Sequence, residues 1–171
     1  MAHQPKFGNP EPVASHIPLL VRVFDKSKGD VLEVGTGYYS TLLLHWLANT
    51  SRRQLYSYES SDYWYKRATE KMRMENDYHH IVYCPNWDDI PTDKHWGMIF
   101  IDHGPNERRI VEIEKFKDKC DYMVIHDTEP ASNRAYKYSE IWPLFKYKYD
   151  YNKILPATSV VSNFKDLKDI E

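Results

Sequence analysis

The chain of 171 residues contains only two cysteines, Cys84 and Cys120, and they lack the spacing of metal ligands. This excludes a disulfide scaffold and a cysteine-based zinc module, and each cysteine is predicted to be a buried, reduced thiol. No apolar run approaches the ~18 residues that a membrane helix needs. Residues 1–12 also lack the apolar centre of a signal peptide, so we expect a cytoplasmic protein with no membrane partner.

The chain also lacks a strong charge of either sign. Its formal net charge of −2 argues against a broad nucleic-acid-binding surface. With 42% hydrophobic and 28% charged residues, the composition is that of a globular chain. We expect a single domain over residues 1–171, in which residues 1–29 form an N-terminal lead-in helix or lid. The composition leaves the oligomeric state open, a homodimer included.

Short apolar strand patterns alternate with helical patterns along the chain. The strand patterns cover residues 31–34, 54–58, 80–84, 96–101 and 122–125, and the helical ones cover 12–24, 41–49, 60–74, 106–116 and 132–145. Residues 149–164 are typical of a hairpin. The pattern predicts an α/β fold, a doubly wound, mostly parallel seven-stranded sheet with helices on both faces and a C-terminal antiparallel hairpin. Such sheets bind ligands beyond the carboxyl ends of their strands.

A glycine turn joins the first strand to the following helix. Gly35, Thr36 and Gly37 follow the strand, and Glu33 precedes the first glycine by two positions. Glycines let a ligand approach the backbone closely, and a helix N-terminus offers free N–H donors. A dinucleotide site would have a third glycine where Ser40 stands. An acidic residue before the turn suits a ligand that carries positive charge.

This turn resembles motif I, E-x-G-x-G, of the class I (Rossmann-like) S-adenosylmethionine-dependent methyltransferases. The resemblance implies that Glu33, Gly35, Thr36 and Gly37 hold S-adenosylmethionine. Tyr39 stands where the fuller form of the motif has its last glycine. A structural turn with no ligand is the alternative interpretation.

Two further loops are candidates for holding the cofactor. Glu59 ends the second strand, where a carboxylate can accept hydrogen bonds from both hydroxyls of a ribose, with Ser60 beside it. After the third strand, Trp87 could stack on an adenine ring and Asp88 could accept from its amine. The structural alternatives are a helix-capping Glu59, a turn at Asp88 and a core position for Trp87.

The fourth and fifth strands end in acidic and imidazole groups. Asp102 and His103 follow the fourth strand, and His126 and Asp127 follow the fifth. These loops resemble the small-molecule O-methyltransferase branch, which implies that Asp102 also borders the cofactor and that the four residues face the acceptor. An alcohol or phenol acceptor needs a base, so His103 and His126 are candidates for the general base, oriented by Asp102 or Asp127. Alternatively, either histidine is a loop residue bonded to the backbone.

Some members of that branch, those that resemble catechol O-methyltransferase, hold magnesium with an Asp after strand four and an Asp-Asn pair after strand five. Asp102 and Asp127 match the two aspartates, but Thr128 stands where the asparagine belongs. Oxygen ligands suit magnesium. Because the ligand set is incomplete, no metal-binding residues are predicted, and magnesium remains the less favoured alternative.

Three more residues are candidates for substrate binding. Arg108 and Arg109 open the helix after the fourth strand, where an arginine is opposed by the helix dipole. They could clamp an acidic substrate, or form a structural salt bridge with Glu112 or Asp102. Glu129, in the loop after the fifth strand, is grouped with them as a substrate-binding candidate.

Residues 136–138 and 145–151 interleave tyrosines and lysines. This pattern could stack bases and follow phosphates, so an RNA-directed methyltransferase is one alternative function. An amphipathic helix followed by an edge strand explains the same pattern, and the low net charge favours that structural interpretation. A non-catalytic S-adenosylmethionine-binding or interaction protein of the same fold is a second alternative. The main prediction is O-methylation of a small-molecule acceptor with a histidine general base.

Overall fold

The structure, a computed structural model, describes residues 14–170. The predicted lid before residue 14 lies outside the described residues, as does the start of the helix predicted over residues 12–24. The seven strands are β1 (Val31–Val34), β2 (Leu55–Glu59), β3 (His79–Tyr83), β4 (Trp96–Ile101), β5 (Cys120–His126), β6 (Tyr147–Tyr151) and β7 (Thr158–Ser162). The α-helices are α1 (Ile17–Lys26), α2 (Ser40–Ser51), α3 (Asp62–Lys66), α4 (Arg109–Phe116) and α5 (Asn133–Tyr136). Across the part of the chain that is described, no helix is both long and apolar enough to span a bilayer.

All seven strands form one sheet in the order β3-β2-β1-β4-β5-β7-β6. The first five strands are parallel, and β7 is inserted antiparallel between β5 and β6. Strand order reverses beside β1, which pairs with β2 on one side and β4 on the other. In such sheets the crevice at the reversal point is the usual ligand site. The predicted doubly wound sheet with its terminal hairpin is confirmed.

Alternate residues of each central strand enter two separate cores, one on each face of the sheet. On one face, Val31 and Phe100 pack with the apolar sides of α1 and α2. On the other face, Leu32 and Ile99 pack with α4. Burial on both faces explains why the strands read as continuous apolar runs, and it places helices on both sides as predicted.

Two of the predicted helices are shorter or less regular than their patterns indicated. The helix predicted over 60–74 is α3 followed by one π-helical turn, Arg67–Lys71. The prediction of a continuous helix over residues 132–145 was wrong. This segment consists of the single turn α5 and three 3₁₀ turns, Pro130–Ser132, Tyr138–Glu140 and Trp142–Leu144.

The break at the end of α5 has a physical cause. Lys137 adopts a left-handed conformation with φ of 57°, which ends the helix. The turn directs Tyr138 into the core, where its side chain is 1% exposed and its hydroxyl donates to the carbonyl of His126 at 3.1 Å. The stabilisation gained by burying the side chain of Tyr138 therefore exceeds that of continuing the helix through this position.

Candidate active site

A cleft of about 430 Å³ lies at the carboxyl ends of β1, β2 and β4, beside the point where strand order reverses. It is lined by Gly35, Thr36, Glu59, Ser60, Ser61, Trp64, Asp102, His103, Gly104 and Pro105. A larger hollow of about 640 Å³ lies at the opposite end of the sheet, against the C-terminal turns of α1 and α2, and contains none of the predicted site residues. Position and lining both identify the smaller cleft as the candidate site.

Gly35 brings the loops after β1 and β4 into direct contact. Its φ is +91°, and a Cβ there would lie 2.6 Å from the carbonyl oxygen of Asp102 and 2.8 Å from Cα of His103. Only glycine meets both constraints. Gly35 is therefore a structural residue of the cleft wall as well as a lining residue.

Glu59 ties the loops after β1 and β2 together. Its Oε2 accepts from the backbone N–H of Thr36 at 2.7 Å and from the Thr36 hydroxyl at 2.8 Å, and its Oε1 accepts from the N–H of Ser61 at 2.7 Å. Because a carboxylate has about four lone-pair sites, these three bonds leave one for a ligand. Glu59 lines the cleft, while its main contacts are within the protein.

Glu33 lies beneath the glycine turn rather than in the cleft. Its carboxylate is fully buried and accepts from the Thr41 hydroxyl at 3.0 Å and the Ser57 hydroxyl at 2.6 Å. The Thr41 oxygen in turn accepts from the N–H of Gly37 at 2.8 Å. Burial, which outweighs these hydrogen bonds, raises the pKa of Glu33 to about 7. Glu33 thus supports the turn from below.

This burial gives a prediction for Glu33→Gln. Because the folded-state pKa of Glu33 lies above the ordinary value of 4.5, its contribution to stability is complete below that pH and is lost as pH rises through about 7. A shift of this size corresponds to about 3 kcal/mol. We expect urea titrations to show the wild type losing about this much more stability than Glu33→Gln between pH 4.5 and 8.

The glutamine has a suitable hydrogen-bond partner. Ser57 also contacts Nε2 of His79 at 2.9 Å, and burial lowers the pKa of His79 to about 3. A neutral imidazole can donate or accept, so the Ser57 hydroxyl can reverse its direction to suit an amide. Equal pH dependence in the two proteins would show that Glu33 remains ionised in the fold.

The two adenine candidates do not line the cleft. Trp87 is 5% exposed, donates its indole N–H to the carbonyl of Gly104 at 3.0 Å and packs edge-on against His103. Asp88 is exposed and pairs with Arg108. Trp87 therefore has the contacts of a core residue, and Asp88 those of a surface residue in an ion pair. Trp64, which the sequence analysis missed, is the tryptophan that does line the cleft, and its only sequence signal was its position shortly after Glu59.

His103 contributes its backbone to the cleft while its ring lies below the surface. Nε2 is 3.0 Å from Oε2 of Glu112, and both side chains are fully buried. Burial lowers the pKa of His103, although Glu112 opposes the shift. The ring packs against Trp87 at a centroid distance of 4.6 Å. Glu112, whose other oxygen accepts from Arg108, supports this arrangement and was predicted only as a salt-bridge partner.

Arg109 forms structural salt bridges, which was the alternative to its binding an acidic substrate. It is 5% exposed, and its guanidinium contacts Asp102 at 2.8 Å and Asp127 at 3.1 Å. It also donates to the backbone carbonyl of His103 at 2.7 Å and stacks over the ring of Tyr136. Arg109 therefore fixes the loops after β4 and β5 relative to each other.

The same guanidinium decides against the magnesium alternative. Magnesium would have to lie between the carboxylates of Asp102 and Asp127 and bind both, and the guanidinium of Arg109 already bridges them there. Thr128, in the position of the third ligand, is hydrogen-bonded through its hydroxyl to the hydroxyl of Ser159 at 2.8 Å. These residues do not fit a magnesium ion.

His126 lies between the two aspartates and the N-terminal end of the described chain. Its Nδ1 is 3.3 Å from Oδ2 of Asp102 and 3.5 Å from Oδ1 of Asp127. Its Nε2 is 3.1 Å from the hydroxyl of Ser15, which donates to the carbonyl of Pro156 at 2.6 Å. The hydroxyl proton is thus committed, so Nε2 of His126 carries a hydrogen. Burial lowers the pKa of His126, but Asp102 and Asp127 outweigh it and raise the pKa overall.

His16 completes this cluster and was not predicted as a site residue. Its ring lies 4.8 Å from that of His126 and 5.2 Å from that of Phe100, measured between centroids. Burial and the neighbouring His126 lower the pKa of His16 to about 4. The only sequence signal was its place at the end of the predicted lid. Glu129, in contrast, lies outside the cleft and accepts from the N–H of Ala157 at 3.0 Å.

No protein-family model matches the sequence, and no curated protein matches it. Solved structures do match. An O-methyltransferase from Bacillus cereus in complex with SAH is 15% identical over 90% of this chain and 82% of that one, with a TM-score of 0.62. An S-adenosylmethionine-dependent O-methyltransferase from Thermotoga maritima is 13% identical over 94% and 68%, with a TM-score of 0.64. The N-methyltransferase NodS from Bradyrhizobium japonicum is 12% identical over 92% and 98%, with a TM-score of 0.65. At these identities the likeness shows the fold, and at that level the predicted resemblance is confirmed.

Proposed function

We propose that this chain is an S-adenosylmethionine-dependent methyltransferase that methylates an oxygen of a small-molecule acceptor. The observation that carries the proposal is the cleft at the point where strand order reverses, with Gly35 and Thr36 of the glycine turn, Glu59 and Asp102 in its lining. Glu59 and Asp102 both line it, so its electrostatics suit a ligand that combines hydroxyls with a positive charge. The likeness in fold to the O-methyltransferases supports the same conclusion.

The proposed reaction needs no covalent intermediate on the protein. The acceptor oxygen attacks the methyl carbon, the carbon–sulfur bond breaks, and sulfur keeps the electron pair to give S-adenosylhomocysteine. The acceptor loses its proton to a base. Alignment of the two reactants alone can contribute ~7–11 kcal/mol.

The base is proposed to come from the cluster around His126. Asp102 links this cluster to the cleft, since it lines the cleft and lies 3.3 Å from Nδ1 of His126. His103 is less suited, because its Nε2 is held by the carboxylate of Glu112 at 3.0 Å. Asp127 and Arg109 would then orient the cluster.

Gly104→Leu tests the donor site without disturbing the wall at Gly35. Gly104 lines the cleft, and a Cβ there would meet no atom within 4 Å, so a larger side chain has room in the fold. We expect Gly104→Leu to weaken S-adenosylmethionine binding at least tenfold in calorimetry, with an unchanged melting temperature. Gly104→Ala is the matched control and should bind nearly as the wild type does.

Methyl transfer itself is tested by screening alcohols, phenols and amines while following release of S-adenosylhomocysteine. Turnover of a hydroxylated small molecule is the expected result. S-adenosylmethionine binding with no turnover of any acceptor would favour the non-catalytic alternative. Wild-type protein that does not bind S-adenosylmethionine, or Gly104→Leu that binds it normally, would contradict the assignment of the cleft.

The RNA-directed alternative receives less support from the placement of the tyrosines and lysines. Tyr138 is buried, and Tyr136 stacks on it at a centroid distance of 5.1 Å. Lys148 lies over Trp142 and pairs with Asp150. These three side chains are engaged within the hairpin and its neighbouring turns, which leaves fewer of the tyrosines and lysines free to contact a nucleic acid.

A further inference from the structure

Three side chains converge beside the cleft, from the loop before α1 and the ends of β4 and β5. His16, Asp102 and His126 each offer a nitrogen or oxygen atom, and these atoms lie within 4.8 Å of one another. It is the only such group of three or more metal-ligating side chains among residues 14–170. Two imidazoles and a carboxylate are a ligand set for a divalent transition metal.

Among residues 14–170, the ring of His16 has no hydrogen-bond partner. The residue is 2% exposed, and neither Nδ1 nor Nε2 is bonded to any other described residue. Buried polar atoms are nearly always bonded, so an imidazole with two free nitrogens calls for an explanation. A metal ion bound to one of these nitrogens would supply it.

The separation of His126 and Asp102 fits two ligands of one ion. Nδ1 of His126 is 3.3 Å from Oδ2 of Asp102, whereas a charge-assisted N–H···O bond is about 2.7–2.9 Å long. Tetrahedral ligands at about 2.0–2.1 Å from zinc lie about 3.3–3.4 Å apart. The observed distance is therefore long for the hydrogen bond and matches two ligands of one ion, and the ligand nitrogen of His16 lies within 4.8 Å of both atoms.

Hydrogen bonds hold the remaining polar atoms of His126 and Asp102. Nε2 of His126 donates to Ser15, whose hydroxyl donates to Pro156, so the lone pair of the neutral ring is on Nδ1. The other oxygen of Asp102 accepts from Arg109. Metal-binding histidines and carboxylates are held in this way by hydrogen bonds on their remaining atoms.

The local charge also favours a cation. Asp102 and Asp127 bring two negative charges, and Arg109 compensates one of them. One negative charge remains beside the rings of His16 and His126, to be balanced by a proton or by a metal ion.

We propose that His16, Asp102 and His126 bind one divalent transition metal ion, with zinc as the best match, and leave a fourth position open toward the cleft. This site differs from the magnesium site considered above, because two of its three ligands are imidazole nitrogens and Arg109 stays in place. Metal binding does not depend on the proposed methyl transfer. With the ion bound, Nδ1 of His126 is a ligand and not a free base, so metal-loaded and metal-free proteins are expected to differ in turnover.

The test is a titration of the full chain with zinc after treatment with a chelator, in the absence of donor and acceptor. Calorimetry should show one zinc ion per chain, and zinc should raise the melting temperature. Cobalt should bind at the same site and give the visible spectrum of a low-coordinate ion. Magnesium in excess should displace neither metal.

His16→Phe keeps an aromatic ring against Phe100 and removes both unpartnered nitrogens, so it should fold. We expect it to bind zinc at least tenfold more weakly, and Asp102→Asn to do the same. His95→Gln is the control, since His95 is exposed, pairs with Asp121 and does not belong to the cluster, and it should bind zinc as the wild type does. Circular dichroism checks that each variant is folded.

No stoichiometric zinc binding by the wild type would overturn the site. So would equal zinc affinities in the wild type, His16→Phe and Asp102→Asn. If His16→Phe does not fold, the comparison of Asp102→Asn with His95→Gln decides the question by the same criterion. Zinc binding with no methyl transfer would leave the metal site standing and remove only the proposed function.

Discussion

Replacing Arg109 by methionine is expected to destabilise the protein by about 3–5 kcal/mol, because it leaves two carboxylates near the protein interior without their cation. Asp102 and Asp127 both pair with this guanidinium, and the side chain is 5% exposed. The substitution also removes the donor to the backbone carbonyl of His103. Urea titration at neutral pH measures the loss.

Two further variants test whether the stabilisation by Arg109 comes from its charge alone or also from the shape of its guanidinium. Arg109→Lys keeps the charge but cannot contact both aspartates with one fork, so it should recover only part of the stability. Arg134→Met removes an exposed arginine for which no ion pair is seen among the described residues, and it should change stability by less than about 0.5 kcal/mol. If Arg109→Met were as stable as Arg134→Met, the proposed role of Arg109 in joining the two loops would be wrong.

Gly35→Ala is expected to cost about 2–5 kcal/mol and to abolish donor binding. An alanine at φ of +91° is strained, and its Cβ would lie 2.6 Å from the carbonyl oxygen of Asp102. The loops after β1 and β4 must separate to admit it, which opens the wall of the cleft. Thermal unfolding and calorimetry with S-adenosylmethionine measure the two effects.

Gly37→Ala is the matched control two residues further along the same turn. A Cβ there would be 3.5 Å from the hydroxyl oxygen of Ser40, an ordinary contact. This variant should stay within about 1 kcal/mol of the wild type. Equal stabilities of the two alanine variants would show that the close approach of Gly35 to the loop after β4 does not constrain the fold.

The strands could be predicted from the sequence because their signal is local. Parallel strands that are covered on both faces must be apolar throughout, as residues 96–101 are. The glycine turn could be found for the same reason, since Gly35 and Gly37 follow a strand directly. The break in the predicted last helix could not be predicted in this way. It depends on the burial of Tyr138 among residues that are distant from it in the sequence.

The partners of the polar residues were also beyond the sequence. Glu33 has the position of a ligand-binding acid, yet its carboxylate is bonded to Ser57, 24 positions away along the chain. From the sequence, Arg109 could equally have bound an acidic substrate. Its pairing with Asp102 and Asp127 depends on how the loops after β4 and β5 are placed in the fold. His16 carried no motif at all, because its environment is created by β4 and β5.

The insertion of β7 between β5 and β6 has a consequence for biosynthesis. During translation, β6 leaves the ribosome before the strand that joins it to the sheet has been made, since every ladder contact of β6 is with β7. Its three tyrosines, which alternate with Lys148 and Asp150, must therefore stay soluble as an unpaired segment for a time. The charged side chains of Lys148 and Asp150 on this strand are expected to oppose premature pairing with other nascent chains.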